Sequence, residues 1–239
     1  MAVVEWKKDG TVAIVTMNTP ENRHNPDFAS GIIKALEEAE ADPEIKSVVL
    51  TSVDPKNWSL GIDLTWMTGC MASNDLDSIR KFMYVLNNMF KKILLCPMPI
   101  IAAINGHAFG DGTILACCCD FRFMRADRGF FCFPEVDINI PFLPGMLAIM
   151  KKALPYWKLE ELVYSGKRAG AKELEECHAV VKASENAEAC LKDAIEFART
   201  FQKGRTIFWE HKRRLHKHII NIIDTEDNEF IEPLNLMVQ

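Results

Sequence analysis

Apolar and polar positions alternate along the start of the chain in a way that predicts short strands and one amphipathic helix. Residues 3–6 and 11–17 are rich in β-branched residues and flank Asp9-Gly10, which predicts a β-hairpin. From Phe28 to Ala39 apolar residues recur every three to four positions, which is the period of a helix. Residues 47–51 follow as a short strand, so the pattern predicts a β-β-α-β order.

The middle of the chain has a continuous apolar run, residues 99–104, which is typical of a strand buried on both faces. A long amphipathic helix is predicted before it, from Leu76 to the residue before Cys96-Pro97. After the strand, a turn that contains glycine leads into a segment of helical length, residues 113–119. The first turn of a helix has free backbone N–H groups, so this turn is a candidate site for a negatively charged group.

The rest of the chain is predicted to be mainly helical, after a second short strand at residues 120–124. We expect an α/β core in residues 1–185 and a C-terminal helical region in residues 186–239. The helical segments are predicted at about 146–153, 158–164, 171–176, 186–201 and 205–220.

Composition excludes several classes of function. The 239 residues are 49% hydrophobic and carry a net charge of −5, which provides no general attraction to nucleic acid or to an anionic membrane. No run approaches the roughly 20 apolar residues of a membrane span, and the N-terminus enters a strand pattern directly, so we expect a cytoplasmic protein. The eight cysteines lack zinc-type spacing, which predicts reduced core residues and no metal site.

Two motifs carry a resemblance to a known family. Residues 58–64 read WSLGIDL and residues 103–112 read AINGHAFGDG. They resemble the paired signatures of the crotonase (enoyl-CoA hydratase/isomerase) superfamily, roughly F-S-A-G-x-D-L and A-I-N-G-x-A-x-G-G-G. The resemblance extends from about Val4 to about Leu215. It implies an α/β fold with a crotonase-type ββα spiral core, a C-terminal helical region that mediates trimer packing, and an acyl-CoA thioester as substrate.

The resemblance also implies which groups bind the thioester oxygen. By motif position, the two oxyanion donors are the backbone N–H groups of Ile62 and Asp111. The neighbouring motif residues are expected to form the substrate site, with Asp63 in a structural role: Leu60, Gly61, Ile62, Asp63, Leu64, Gly110 and Asp111. Asp111 departs from the usual glycine. Its carboxylate is either a structural group at a helix N-terminus or a chemical participant.

Glu135 is the candidate catalytic base. It follows Phe131-Cys132-Phe133-Pro134, and this apolar setting is expected to raise its pKa toward a value useful for proton transfer. Hydratases of the superfamily carry a second glutamate three residues after the oxyanion glycine, and Ile114 stands at that position here. The chain therefore resembles the Δ3,Δ2-enoyl-CoA isomerases of the superfamily most.

Coenzyme A recognition and assembly are inferred from the resemblance. Arg23 and Lys212 stand where relatives place basic residues that reach CoA, the lysine often from a neighbouring subunit. No separate cofactor is expected because CoA is part of the substrate. We expect a homotrimer or hexamer, held by an apolar stripe on the C-terminal helices that comprises Ala187, Leu191, Ala194, Ala198 and Phe201.

Three functions are compatible with these residues. An isomerase would move a 3-double bond to the conjugated trans-2 position with Glu135 alone. A hydratase or thioester hydrolase would use Asp111 together with Glu135 to activate water. A binding scaffold without activity would result if Asp111 spoiled the oxyanion site, although an intact Glu135 argues against this. His107 is expected to be a turn histidine, and His24 receives no assigned role.

Overall fold

The computed structural model describes residues 2–237; residues 1, 238 and 239, at the ends of the two predicted regions, lie outside the described residues. The main sheet has six strands in the spatial order β1-β2-β3-β5-β7-β9, and only the β1–β2 pair is antiparallel. These strands are β1 (Val4–Asp9), β2 (Val12–Met17), β3 (Ser47–Ser52), β5 (Ile100–Ile104), β7 (Phe121–Arg125) and β9 (Lys182–Ser184).

A second, smaller sheet lies beside the first and carries the candidate site. Its strands are parallel and only two or three residues long. In spatial order they are β4 (Asn57–Ser59), β6 (His107–Phe109) and β8 (Phe131–Cys132). Each of the three follows a strand of the main sheet along the chain, so the two sheets together form the repeated spiral that the resemblance implied.

Helices cover the main sheet and form the C-terminal part of the chain. None of those between residues 2 and 237 is both long and apolar enough to cross a membrane. They are α1 (Pro26–Ala41), α2 (Leu64–Ala72), α3 (Leu76–Leu95), α4 (Asp111–Cys118), α5 (Pro144–Ala153), α6 (Tyr156–Ser165), α7 (Ala171–Glu176), α8 (Ala187–Ala198), α9 (Arg205–Leu215), α10 (Lys217–Thr225) and α11 (Asn228–Ile231). Short 3₁₀ helices occur at Pro20–Asn22 and Pro134–Ile138.

The main sheet is buried on both faces, as the continuous apolar run of β5 predicted. One face, with Ala102 and Ile104, packs into the large core with α1 and α3. The other face, with Ile101 and Ala103, packs against α8. Because each strand of the sheet interior has two buried faces, both sets of alternating side chains are apolar.

Helix α8 corrects one expectation about assembly. Ala194 and Ala198 of the predicted trimer stripe are fully buried against the chain's own sheet, and Leu191 packs beside them. These three residues of the stripe therefore belong to the core of one subunit, and they provide no argument for a contact between subunits. The trimer or hexamer stays a prediction.

Most of the predicted long elements are confirmed, and the differences are local. The hairpin, α1, α3, β5 and β7 all occur close to the predicted bounds. The helix predicted over residues 205–220 is instead two helices that meet at His216. Helix α2 and the strands of the small sheet were not predicted. The cysteines are free thiols, and seven of the eight are buried.

Candidate active site

A cavity of about 470 Å³ opens between the small sheet, α2, α4 and the segment that leads into α5. Its size is in the range of small-molecule sites, which are typically about 300–1,000 Å³. Most of its walls are aliphatic, methionine or aromatic side chains. The polar or charged residues on its surface are Arg23, Thr68, Asp111 and Glu135.

A tight turn after β4 brings two segments of the chain into contact. Gly61 has φ +75°, and a Cβ there would lie 2.8 Å from the backbone nitrogen of Asp111 and from the carbonyl oxygen of Phe109. Only glycine combines this backbone conformation with so close an approach. The turn therefore places Ile62 beside the first residue of α4.

Two backbone N–H groups at this contact are available to a ligand. Ile62 forms a parallel bridge with His24, in which the flanking groups bond: the His24 N–H donates to Gly61 O at 2.7 Å and the Asp63 N–H to His24 O at 2.9 Å. The N–H of Ile62 itself points to the other side. Asp111 begins α4, so its N–H has no acceptor in its own helix. Within residues 2–237 neither N–H has a hydrogen-bond acceptor, and both residues line the cavity.

Glu135 faces the same point from the third strand of the small sheet. It lies in the 3₁₀ helix just after β8, is buried, and has one carboxylate oxygen, Oε2, with no hydrogen-bond partner in the described chain. Its other oxygen lies over the turn, since a Cβ at Gly110 would be 3.0 Å from Oε1. Burial raises the pKa of Glu135 from 4.5 to about 8.

The Asp111 side chain joins a buried chain of hydrogen bonds that the sequence did not reveal. Asp111 Oδ2 is in close contact with His24 Nδ1, and His24 Nε2 lies 2.9 Å from Ser59 Oγ. His24 and Ser59 are fully buried, and Asp111 is almost so. Asp111 Oδ1 has no hydrogen-bond partner in the described chain, and the residue lines the cavity, whereas His24 and Ser59 do not.

Comparison with known proteins identifies the family. The sequence profile described as enoyl-CoA hydratase/isomerase matches residues 7–226, which is most of the chain. The chain therefore belongs to the enoyl-CoA hydratase/isomerase family. This confirms the resemblance that the two glycine motifs indicated.

Relatives that are named for different activities have similar sequence identities to this chain. Enoyl-CoA delta isomerase 2, peroxisomal, of Arabidopsis thaliana is 31% identical over 170 residues, covering 70% of this chain and 71% of the relative. The short-chain-enoyl-CoA hydratase of Clostridium acetobutylicum is 35% identical over 136 residues, covering 56% of this chain and 50% of the relative. A crystal structure of an enoyl-CoA hydratase/isomerase family protein from Pseudomonas syringae superposes with a TM-score of 0.86 at 21% identity, over 96% of this chain and 97% of that one. The fold is shared by relatives whose names give different reactions.

Most of the expected residues of the enoyl-CoA hydratase/isomerase site lie together. Arg23 is at the cavity with its Nε donating to Glu21 at 2.8 Å. Asp63 caps α2 by accepting the N–H of Trp66 at 3.0 Å, which is a structural role. Those that line the cavity are Leu60, Ile62, Leu64, Gly110, Asp111, Ile114 and Glu135.

The structure does not bring Lys212 to the cavity. Lys212 is buried, and its ammonium group donates to Asp120 at 2.8 Å and to the carbonyl oxygen of Ile93 at 3.0 Å. Both partners lie at the opposite end of α4 and β5 from the two free amides. A buried and paired amino group is not available to a nucleotide phosphate, so we do not include Lys212 among the proposed CoA-binding residues.

Two residues of the site, His24 and Ser59, were missed by the sequence reasoning. Ser59 stands inside the first motif, but a serine there gives no sign of its partner. His24 lies 87 residues from Asp111, and only the folded chain brings them together. The unusual aspartate at position 111 was the one available signal, because a buried carboxylate requires a partner.

Proposed function

We propose that the protein is an enoyl-CoA isomerase that moves a double bond from the 3-position of an acyl-CoA thioester to the conjugated trans-2 position. The observation that supports this most is the pairing of Glu135 with Ile114 at the cavity. One wall has a buried carboxyl group with a free oxygen, and α4 has an aliphatic side chain where a hydratase would need a second carboxyl group.

The thioester oxygen would bind between the backbone N–H groups of Ile62 and Asp111. When the proton on C2 is removed, negative charge develops on that oxygen, and two fixed donors stabilise it. One such donor is worth about 2.7–4 kcal/mol in comparable sites. The Gly61 turn holds the two donors side by side before substrate arrives, so no reorganisation is needed.

Glu135 would then carry the proton from C2 to C4. The proton removed from C2 and the proton added to C4 can use the same face of the planar dienolate, so one carboxylate at the cavity, that of Glu135, can serve both carbons. With a pKa raised to about 8, Glu135 is a stronger base than an exposed glutamate and still ionises near neutral pH. The same carboxyl group, once protonated, is acidic enough to return the proton.

The cavity walls favour isomerisation over addition of water. Ile114 is almost completely buried and presents hydrocarbon beside the two amides. Hydration needs a water molecule held and activated at C3, and an aliphatic wall offers it no hydrogen bond. We also propose that Arg23, at the edge of the cavity, contacts the phosphates of CoA.

Asp111 supports a second candidate, an enoyl-CoA hydratase or thioester hydrolase. Its Oδ1 atom is buried and has no hydrogen-bond partner among residues 2–237, and the residue lines the cavity together with Glu135. Two carboxyl groups at one site can divide the activation of water between them. His24 already binds the other oxygen of Asp111, which is why we place this function second.

Mass spectrometry of products separates the two candidates. The protein is incubated with a 3-enoyl-CoA, and separately with a trans-2-enoyl-CoA, in ¹⁸O-labelled water. An isomerase converts the first substrate to the second without ¹⁸O, whereas a hydratase forms labelled 3-hydroxyacyl-CoA and a hydrolase forms labelled free acid. Robust formation of either labelled product would refute the isomerase proposal.

A variant pair then tests the assignment of the base. Glu135→Gln should lower kcat by about 10²–10⁴-fold, since it removes general-base catalysis. Asp137→Asn is the matched control, because Asp137 is an exposed carboxylate in the same 3₁₀ helix and does not line the cavity. Full isomerase activity of Glu135→Gln would contradict the assignment.

A further inference from the structure

His24 is attached to both halves of the oxyanion site, through its backbone on one side and its side chain on the other. We propose that His24 is a positioning residue that neutralises Asp111 and thereby lets the Asp111 amide stabilise an enolate oxygen. This inference rests on the proposed enolate chemistry, which the isomerase and the hydratase share. It concerns a residue that does not touch the substrate.

The backbone of His24 orients the Ile62 amide. The His24 N–H donates to Gly61 O at 2.7 Å, and His24 O accepts the N–H of Asp63 at 2.9 Å. These two bonds fix the peptide groups on either side of Ile62. In a parallel bridge the N–H of the residue between them points away from the partner strand, here toward the cavity.

The side chain of His24 holds Asp111. Nδ1 contacts Asp111 Oδ2, Nε2 lies 2.9 Å from Ser59 Oγ, and the ring stacks on Phe28 with centroids 4.4 Å apart. Both nitrogens and one face of the ring are therefore occupied. His24 is fully buried, so water cannot replace any of these contacts.

The hydrogen atoms available around Ser59 determine the total charge of the His24–Asp111 pair. Ser59 Oγ lies 2.8 Å from the carbonyl oxygen of Asn22, which can only accept, so the single serine hydrogen points there. The N–H of Gly61 donates to Ser59 Oγ at 3.2 Å. His24 Nε2 can then bond Ser59 only as a donor, and it must carry a hydrogen.

One more proton must lie between His24 Nδ1 and Asp111 Oδ2, because two bare lone pairs would repel each other at that contact. If this proton is on nitrogen, the pair is an imidazolium and a carboxylate. If it is on oxygen, the pair is a neutral imidazole and a carboxylic acid. The sum of the charges is zero in both cases, so Asp111 adds no net negative charge beside the enolate oxygen.

Removal of the histidine should therefore expose a charge conflict. Without His24, an ionised Asp111 would oppose the enolate from the residue whose amide must stabilise it. If His24 served only in packing, His24→Phe would keep its activity, because a phenylalanine at position 24 can still stack on Phe28. Ser59 is not a nucleophile in this scheme, because neither it nor His24 lines the cavity.

The test compares His24→Phe, the double variant His24→Phe/Asp111→Ala and the control His107→Phe in the full chain. His107 is a neighbouring histidine that stacks on Phe130, lies tilted against the ring of Phe109 and does not line the cavity. The readouts are kcat, KM and the absorption maximum of bound cinnamoyl-CoA, which shifts to the red when its carbonyl group is polarised.

We expect His24→Phe to lower kcat by about 10²-fold with little change in KM, as when an oxyanion donor is lost, and to lose the red shift. The double variant should recover most of both, and His107→Phe should keep the shift. Wild-type kcat and red shift in His24→Phe, or a double variant no better than His24→Phe, would overturn the proposal. Absence of a red shift in the wild type would instead refute the oxyanion site of the proposed function.

A measurement on the wild type covers the case in which the variants do not fold. The ¹⁵N spectrum of the ring nitrogens should show His24 Nε2 bearing hydrogen. A ring protonated only at Nδ1 would overturn the neutral pair, and a ring with hydrogen on Nε2 would support it.

Discussion

Replacement of Glu135 by glutamine should stabilise the protein at alkaline pH. Burial raises the pKa of this carboxyl group from 4.5 to about 8 in the folded chain. Between those two values the folded protein keeps a proton that the unfolded chain releases. The unfolded state then binds fewer protons, so the free energy of unfolding falls as pH rises through this window.

The size of the effect follows from the same pKa. One pKa unit corresponds to about 1.36 kcal/mol, so the rise from 4.5 to about 8 costs the folded wild type at most about 5 kcal/mol above pH 8. Glutamine does not titrate and avoids this cost. The difference in free energy of unfolding between Glu135→Gln and wild type should therefore grow by up to about 5 kcal/mol from acid to alkaline pH.

Urea unfolding at about pH 5, 7 and 9, at one fixed protein concentration, measures this difference. The comparison across pH cancels the constant cost of burying an amide in place of a carboxyl group. Asp137→Asn, an exposed carboxylate in the same 3₁₀ helix, is the control and should show a much smaller change. An equal difference between Glu135→Gln and wild type at pH 5 and pH 9 would refute the burial argument.

Three further outcomes are expected at the same site. In the proposed mechanism Glu135 acts as an ionised base, so kcat/KM should rise with pH through about 8 and then level off. A flat profile from about pH 6 to 9 would exclude Glu135 as the base. Ile114→Glu should enable the protein to form 3-hydroxyacyl-CoA, which mass spectrometry detects. Unchanged products would show that a second carboxyl group at position 114 does not decide between isomerisation and hydration. Gly61→Ala should destabilise the fold by about 1–3 kcal/mol and lower kcat, since its Cβ would lie 2.8 Å from Asp111 N. Gly69→Ala is the control, because a Cβ at Gly69 meets open space, and it should change neither the melting temperature nor the turnover rate.

The elements that the sequence predicted best are those whose own residues decide their structure. Strand β5 is a continuous apolar run between turn residues, and α3 repeats its apolar residues over twenty positions. Glu135 was predicted as a buried base because its apolar neighbours are adjacent in the chain. The raised pKa agrees in direction with that expectation.

Features that depend on contacts between residues far apart in the chain could not be predicted from the sequence. The strands of the small sheet have two or three residues, which is too short for any period to appear. The ion pair of Lys212 with Asp120 joins residues 92 positions apart, and a basic helix face gave no sign that one of its lysines is buried. The predicted stripe on α8 was apolar for a reason that only the tertiary structure shows, namely the second face of the main sheet.

The separation between the small sheet and the rest of the cavity wall has an evolutionary consequence. The two amides and Glu135 follow directly from β4, β6 and β8, whereas the hydrophobic wall comes largely from α2, the segment before α5 and the C-terminal end. Methionines at positions 67, 83 and 146 are unbranched and adapt to different shapes. If the proposed function holds, exchange of wall residues would change the length of acyl chain that the cavity accepts and leave the residues proposed for the chemistry, on a separate and much smaller part of the chain, unchanged.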